Sequence, residues 1–429
     1  GILVVTAALA WPASGEGFFS YGYGIRAKGM AGSSVATIGD VAGGASNPAK
    51  MAFAGRRNTV GVEFFGPQRT IQRTGAPGAA AIYNDRVKSR NNVFPIPDGG
   101  FSRQLNERWY WGATLYANGG LNTEYNDDNG VPGSNANPAL CGNRPANLFL
   151  GCGRLGVNLN QFVVAPSLAY RPRPNLAFGV APLLAMQRIK LYGLEAFAPL
   201  SRRPGRVTDQ GNDRAFGAGV RVGVLWQATD WLRLGGAYAS TIHMQEFDRY
   251  KGLFAGGTFD IPENFSLGFA LTPSREWELS FHYQKIYFSD VPAIGNSVLN
   301  SILDPVGKPL GSSQGSGFHW DDTDDYRVGL EYHPRERLTL RVGYAYSKPP
   351  TGNDIDDVSL TLLAPGVGEH TFTLGGSWQL QRGQEAHIAL RYTLPEHVAG
   401  PSATTLLGVG GRDTLRAEVW SLAVGWSWP

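Results

Sequence analysis

The groups in this chain that could act on a substrate or hold a metal are few: two cysteines, seven histidines and some clusters of aspartate. The acidic clusters are Asp127-Asp128, then Asp321, Asp322, Asp324 and Asp325, then Asp354, Asp356 and Asp357. Grouped carboxylates suit a hard cation such as Ca²⁺, but none of these has EF-hand spacing, so they are read as solvated loop charge. The histidines are scattered singly. Neither H-E-x-x-H nor a P-loop is present, and no serine-nucleophile elbow is expected. The chain is therefore expected to be no enzyme and to use no metal and no cofactor; a lipase site assembled across strands without a local motif is the enzymatic alternative. Cys141 and Cys152 fit no zinc or redox spacing. A loop disulfide formed in an oxidising compartment is preferred over two free thiols.

Charge adds an exclusion. Lys and Arg number 38 against 35 Asp and Glu, a net +3 spread along the chain without a long basic run. Nucleic acid is not an expected partner.

The elements that would carry such residues are strands. Apolar residues make up 42% of the chain, with 57 Gly, 11 Trp, 17 Tyr and 21 Phe, a mixture suited to many short strands, turns and aromatic rims. No stretch approaches the roughly 18 to 20 apolar residues of a membrane helix. Transmembrane strands escape that test because only alternate residues meet lipid. The opening GILVVTAALA, ending on Ala8, Leu9 and Ala10, has the texture of a secretory signal peptide, so residues 1–15 are expected to be its remnant. The alternative is an apolar start to the mature protein.

From Asn58 onward, alternation with period two recurs. Leu338, Leu340, Val342, Tyr344 and Tyr346 share one face, and Thr339, Arg341, Gly343 and Ala345 the other. Trp420, Leu422, Val424, Trp426 and Trp428 oppose Ser421, Ala423, Gly425 and Ser427. A sandwich also alternates, but small and polar residues opposite an aromatic-ended apolar face suit a wall between lipid and a polar or plugged lumen. Tight polar turns at 106–108, 172–175, 228–230, 273–276, 334–337 and 381–384 alternate with long stretches near 127–156, 198–213, 294–322, 349–369 and 398–411. About fourteen strands are expected, with short periplasmic turns and long external loops.

Residues 16–56 differ in kind, being rich in Gly, Ala and Ser without strand alternation. Here the chain resembles the FadL family of outer-membrane transporters of long-chain fatty acids and other hydrophobic compounds. The resemblance rests on G-x-G-x-R-A at Gly22 to Ala27, Asp40, and the tripeptide Asn47, Pro48, Ala49. It continues in WGATLYANGGLNTEY around Asn118, Gly119 and Gly120, in LGVNLNQFVVAPSLAYRP, in WDDTDDYRVGLEY and in HTFTLGGSW. One departure is the terminal Pro429, where such barrels usually end on an aromatic residue.

The resemblance implies an all-β transmembrane barrel of 14 strands over 57–429 with a lumen hatch over 16–56. It implies a multi-pass protein of the bacterial outer membrane, working as a monomer among outer-membrane lipid and lipopolysaccharide. Its cargo would be a hydrophobic small molecule, captured by external loops and released sideways at a kink in the third strand. On this chain the kink falls at Asn118, Gly119 and Gly120, since adjacent glycines weaken a ladder; easing of strand curvature is the alternative. Leu140, Leu148, Phe149, Leu150, Leu194, Phe197 and Leu200 are the candidates for the capturing groove. Arg26 and Lys28 of the hatch with Arg327, Glu331 and Arg341 of the wall are the candidate lumen ion pairs. A water-filled porin and a structural or adhesin barrel are the alternative functions.

Overall fold

A computed structural model of the chain describes residues 17–90, 92–125 and 138–429. The expected leader remnant and Asp127-Asp128 lie outside the described residues. Fourteen long strands make the wall: β1 (Arg57–Thr74), β2 (Phe94–Gln104), β3 (Trp109–Tyr125), β4 (Leu155–Arg173), β5 (Leu176–Tyr192), β6 (Asp213–Gln227) and β7 (Leu232–Ala239), then β8 (Asn264–Leu271), β9 (Trp277–Ile286), β10 (Thr323–Arg335), β11 (Leu338–Ser347), β12 (His370–Gln379), β13 (Glu385–Pro401) and β14 (Arg412–Trp428). Each pairs antiparallel with its neighbours in sequence, and β1 pairs β14 from Asn58↔Trp428 to Thr74↔Arg412, which closes the barrel. Short strands at Arg86–Lys88 and His243–Met244 extend the wall at its long-loop end.

The polar turns fall where sequence places them, each joining an even strand to the next odd one on a single rim. The opposite rim carries the long connections, including 75–93 and 240–263, which were not among the expected loops. The last such loop is shorter than expected, because β13 runs on to Pro401.

The alternation resolves as expected. Leu340, Val342, Tyr344, Trp420, Val424 and Trp426 are exposed on the outside, and Arg341, Ala345, Ser421 and Ala423 are buried inside. Tryptophans 109, 226, 231, 277, 378 and 426 ring the short-turn rim. Tyr238, Tyr283, Tyr326 and Tyr344 stand toward the other, the amphipathic belts expected at two membrane interfaces.

Residues 17–56 fill the lumen. Their contacts reach strands all round the ring: the Ala31 N–H donates to Thr373 Oγ1 at 2.8 Å, the Ser34 and Val35 amides donate to His282 Nδ1, and Ser102 Oγ donates to the Met51 carbonyl. Asn47 caps the turn at Pro48 by accepting from the Ala49 amide at 3.1 Å, while its Nδ2 donates to the Val35 and Val224 carbonyls. Wall glycines make room for this. A Cβ at Gly223 would lie 2.1 Å from Asn47 Oδ1, and one at Gly179 2.3 Å from the Ala49 nitrogen.

Charges hold the plug to the wall. Arg26 meets Glu331 at 3.1 Å, and Arg341 of β11 donates to the same carboxylate. Lys28 is held by Glu63 at 2.8 Å and Asp98 at 3.1 Å, two carboxylates that sequence reasoning did not select. Arg327 pairs with Asp325 of its own strand, and its guanidinium lies over the Tyr21 ring of the plug at 5.5 Å, a cation–π contact.

Two outcomes follow from this packing. Val342→Arg places a charge at mid-wall facing lipid and is expected to cost about 2–4 kcal/mol, against about 0–1 for Leu338→Arg near the interface; urea midpoints of folding into phospholipid vesicles measure both. Lys28→Met strands two buried carboxylates and is expected to cost about 3–5 kcal/mol. Combining it with Glu63→Gln and Asp98→Asn should recover most of that loss on the same assay.

Candidate functional site

The wall has a stretch without a ladder. Pairing of β2 with β3 ends at Asp98↔Tyr116, yet β3 continues to Tyr125 on the β4 side and β2 begins at Phe94 on the β1 side. Between Phe94–Pro97 and Ala117–Asn122 no strand-to-strand pairing joins the two edges. Sequence explains both. Pro95 and Pro97 share a parity, lack N–H donors, and leave the β1 ladder uninterrupted, so the missing donors belong to the β3 edge. On β3, the register against β4 shifts between Ala117 and Gly119, a bulge at Asn118.

Freed backbone groups at the bulge bond inward to the plug. The Ser20 amide donates to the Asn118 carbonyl at 2.7 Å, and the Gly120 amide donates to the Phe18 carbonyl at 3.1 Å. A Cβ at Gly119 would fall 1.9 Å from that carbonyl, so only glycine allows the plug to lie so close. The Asn118 side chain donates to Gln161 Oε1 and accepts from the Tyr23 hydroxyl. Toward the long loops the gap is closed by Ser89 and Arg90, which bond to the Glu124 backbone. Arg69 of β1 reaches across to donate to the Asn122 carbonyl, its guanidinium 5.9 Å from the Phe94 ring.

Behind the gap lies a cavity of about 190 Å³, walled by Phe18, Phe19 and Tyr21 of the plug, Phe94 and Ile96 of β2, and Leu121 of β3. Its polar margin is supplied by Arg69, Arg391 and Glu418. An apolar hollow of about 150 Å³ is enough to hold benzene, so this volume fits a single aromatic ring or part of a chain.

A second cavity, about 50 Å³, lies under the long loops and is lined by Leu194, Phe197 and Leu200 with Phe254, Phe318 and Leu363. Three of the seven groove candidates thus share one apolar surface. Leu148 and Phe149 are buried in the adjoining cluster, Phe149 edge-on to Phe197 at 6.0 Å. Leu150 packs instead against a separate small cluster with Tyr83 and Val409. Leu140, on the short helix Pro138–Cys141, is exposed and is not among the residues lining either cavity. Cys141 and Cys152 are joined as a disulfide, which ties this helix to the loop base.

Aromatic rings connect the cavities. Phe254 of the outer one meets Phe259 at 5.4 Å, Phe259 meets Phe18 at 5.6 Å, and Phe18 meets Phe288 and Trp320 at 5.3 and 5.9 Å. Sequence reasoning missed Phe18, Phe259, Phe288 and Trp320, as well as Arg69, Pro95 and Pro97. Of these only the F-P-I-P string carried a readable signal, two prolines inside an otherwise strand-like run.

Elsewhere the chemistry is structural. His319, Asp354 and Asp357 offer ligand atoms within 4.8 Å of one another. Asp354 and Asp357 form the capping box of helix Ile355–Thr361, and His319 meets Asp357 at 3.0 Å. Burial holds the Asp357 carboxyl above its ordinary range. A formal G-x-S-x-G occurs at Gly311 to Gly315, contrary to expectation, but it lies within the loop between β9 and β10 and lacks the strand-to-helix turn of a nucleophile elbow.

Comparison with known proteins gives this geometry its context. Residues 6–140 and 151–425 match the family model for outer membrane protein transport proteins (OMPP1/FadL/TodX). The toluene transporter TodX of P. putida superposes with a TM-score of 0.69 at 19% identity, covering 95% of this chain and 98% of that one. A Pseudomonas aeruginosa FadL homologue gives 0.67 at 17% identity, covering 95% and 99%. At such identities these likenesses establish the fold. Outer membrane protein P1 of Haemophilus influenzae is 25% identical over 296 residues, 63% of this chain, and the match spans 61% of that relative's length. With nearly its whole length matched, the chain belongs to the OMPP1/FadL/TodX family of outer-membrane transport proteins, and is a transport barrel rather than an enzyme.

Proposed function

We propose that this barrel passively imports hydrophobic small molecules, hydrocarbons or fatty acids, taking them at the apolar surface under the long loops and releasing them sideways through the wall. The observation that carries this is the cavity whose one side is plug and whose other is the unladdered stretch between β2 and β3. An apolar solute gains about 0.8 kcal/mol per CH₂ by leaving water, so a route ending in lipid is downhill where one ending in the periplasm is not. The aromatic series from Phe254 to Phe18 supports inward passage, since each ring offers the next apolar contact. Related barrels described as toluene transporters support the choice of cargo class.

The test uses the full chain in liposomes with labelled toluene, an alkane, a long-chain fatty acid and sucrose. Apolar uptake well above protein-free vesicles with sucrose excluded is expected; the reverse pattern would make this a porin, and no uptake of either a structural barrel. Deleting residues 17–49 should admit sucrose. For the lateral step, substitution at Gly119 is uninformative because its Cβ would strike the plug. Ala117→Trp, on the lipid-facing side of β3 at the outer mouth of this cavity, is expected to obstruct the gap and cut apolar uptake about tenfold or more while the heat-resistant folded form persists. Unchanged uptake in that variant would exclude exit at this strand.

A further inference from the structure

Above the lipid-facing band of β5 and β6, the wall carries cations that make no ion pair among the described residues. Along β6 the outward run from Trp226 up to Phe216, at roughly 3.4 Å per residue and a tilt near 45°, climbs about 24 Å, the height of the apolar band. The next outward residue is Arg214, and its direct partner across the ladder is Arg188 of β5. Lys190 occupies the next outward position on β5.

Like charges directly opposite on one sheet face destabilise pairing. Arg188 Nε donates to Asn212 Oδ1 at 3.2 Å, and the Lys190 ammonium lies 4.8 Å from the Tyr192 ring, but neither contact supplies negative charge. Asp213 is beside them, yet its oxygens accept from the Arg214 and Arg249 backbone amides. Arg154, also over the Tyr192 ring, already pairs with Glu124 at 3.3 Å. Among the described residues no ion pair is made by Arg188, Lys190 or Arg214. The contrast is Lys285 of β9, outward at the same rim and paired with Asp324 at 3.7 Å.

We infer that Arg188, Arg214 and Lys190 form a binding site for the phosphate of a lipid headgroup in the membrane leaflet on the long-loop side. The position is where hydrocarbon gives way to headgroups. Two adjacent guanidinium groups present the forked donors that match phosphate oxygens, and a phosphate monoester carries about −1.5 to −2 charges at neutral pH, enough to offset the pair. The site stands apart from the transport route and does not depend on the cargo proposed above.

The test places the full chain in phosphatidylcholine nanodiscs and titrates diphosphorylated lipid A against its dephosphorylated form, reading bound lipid by native mass spectrometry. The wild type is expected to prefer the phosphorylated lipid by about tenfold or more. Arg188→Gln with Arg214→Gln should abolish that preference, and Lys285→Gln should leave it intact. Arg214→Glu, which sets opposite charges across the ladder, should abolish it too while raising the unfolding temperature in neutral detergent. That rise shows the variant folds. Equal preference in wild type and the double variant would overturn the site, as would displacement of the lipid by millimolar inorganic phosphate.

Discussion

Hydrocarbon offers no partner to a backbone N–H or C=O, and each one left bare there costs several kcal/mol. Closure of β1 on β14 answers that demand for almost the whole wall. One exception is the stretch beyond Asp98↔Tyr116, where two prolines remove donors from one edge and a bulge turns the other inward. Plug backbone at Phe18 and Ser20 takes up part of what the ladder gives away, and Arg69 takes up another carbonyl. The gap is thus satisfied from inside the barrel, which couples the state of the wall to the position of the plug.

The same logic governs the lumen charges. Removing ions from water is repaid only by close, well-bonded partners, and Lys28 with two carboxylates and Glu331 with two arginines meet that condition. From Arg341 a hydrogen-bonded series runs through Ser377, His387 and Ser427 to Thr59, crossing the seam between the last strand and the first. Such polar layers fix the plug in one orientation at the short-turn end, while the end toward the long loops is aromatic and is tied to the wall by the backbone bonds of Phe18 and Ser20 at the bulge.

Much of this was legible in the sequence. Strand number, the face of each side chain and the turn side followed from period two, because one face of every strand meets a different solvent and a slip would expose the wrong set. The glycines at 119 and 120 were readable as a weak point in the ladder. What fills the gap was not: Arg69 and the plug aromatics act across long sequence separations, and no local pattern marks them. The groove candidates show the same limit. Leu194, Phe197 and Leu200 lie close together in sequence and can be picked out as a group, whereas Phe254 and Phe318 line the same cavity from other loops. Leu140 shows it too, since an apolar residue in a loop carries no periodicity from which its direction can be read.

The seam between β1 and β14 also sets an order of events. Its partners, such as Asn58 and Trp428, are nearly the whole chain apart, so the contact carries the largest loop-closure cost in the molecule. The plug precedes β1 in the chain and, once the seam is shut, is surrounded by wall on every side. Threading it afterwards would mean passing Arg26 and Lys28 through a filled ring. The plug therefore has to be gathered in while the sheet is still an open, curling ribbon, and the barrel is assembled around the segment that precedes its first strand.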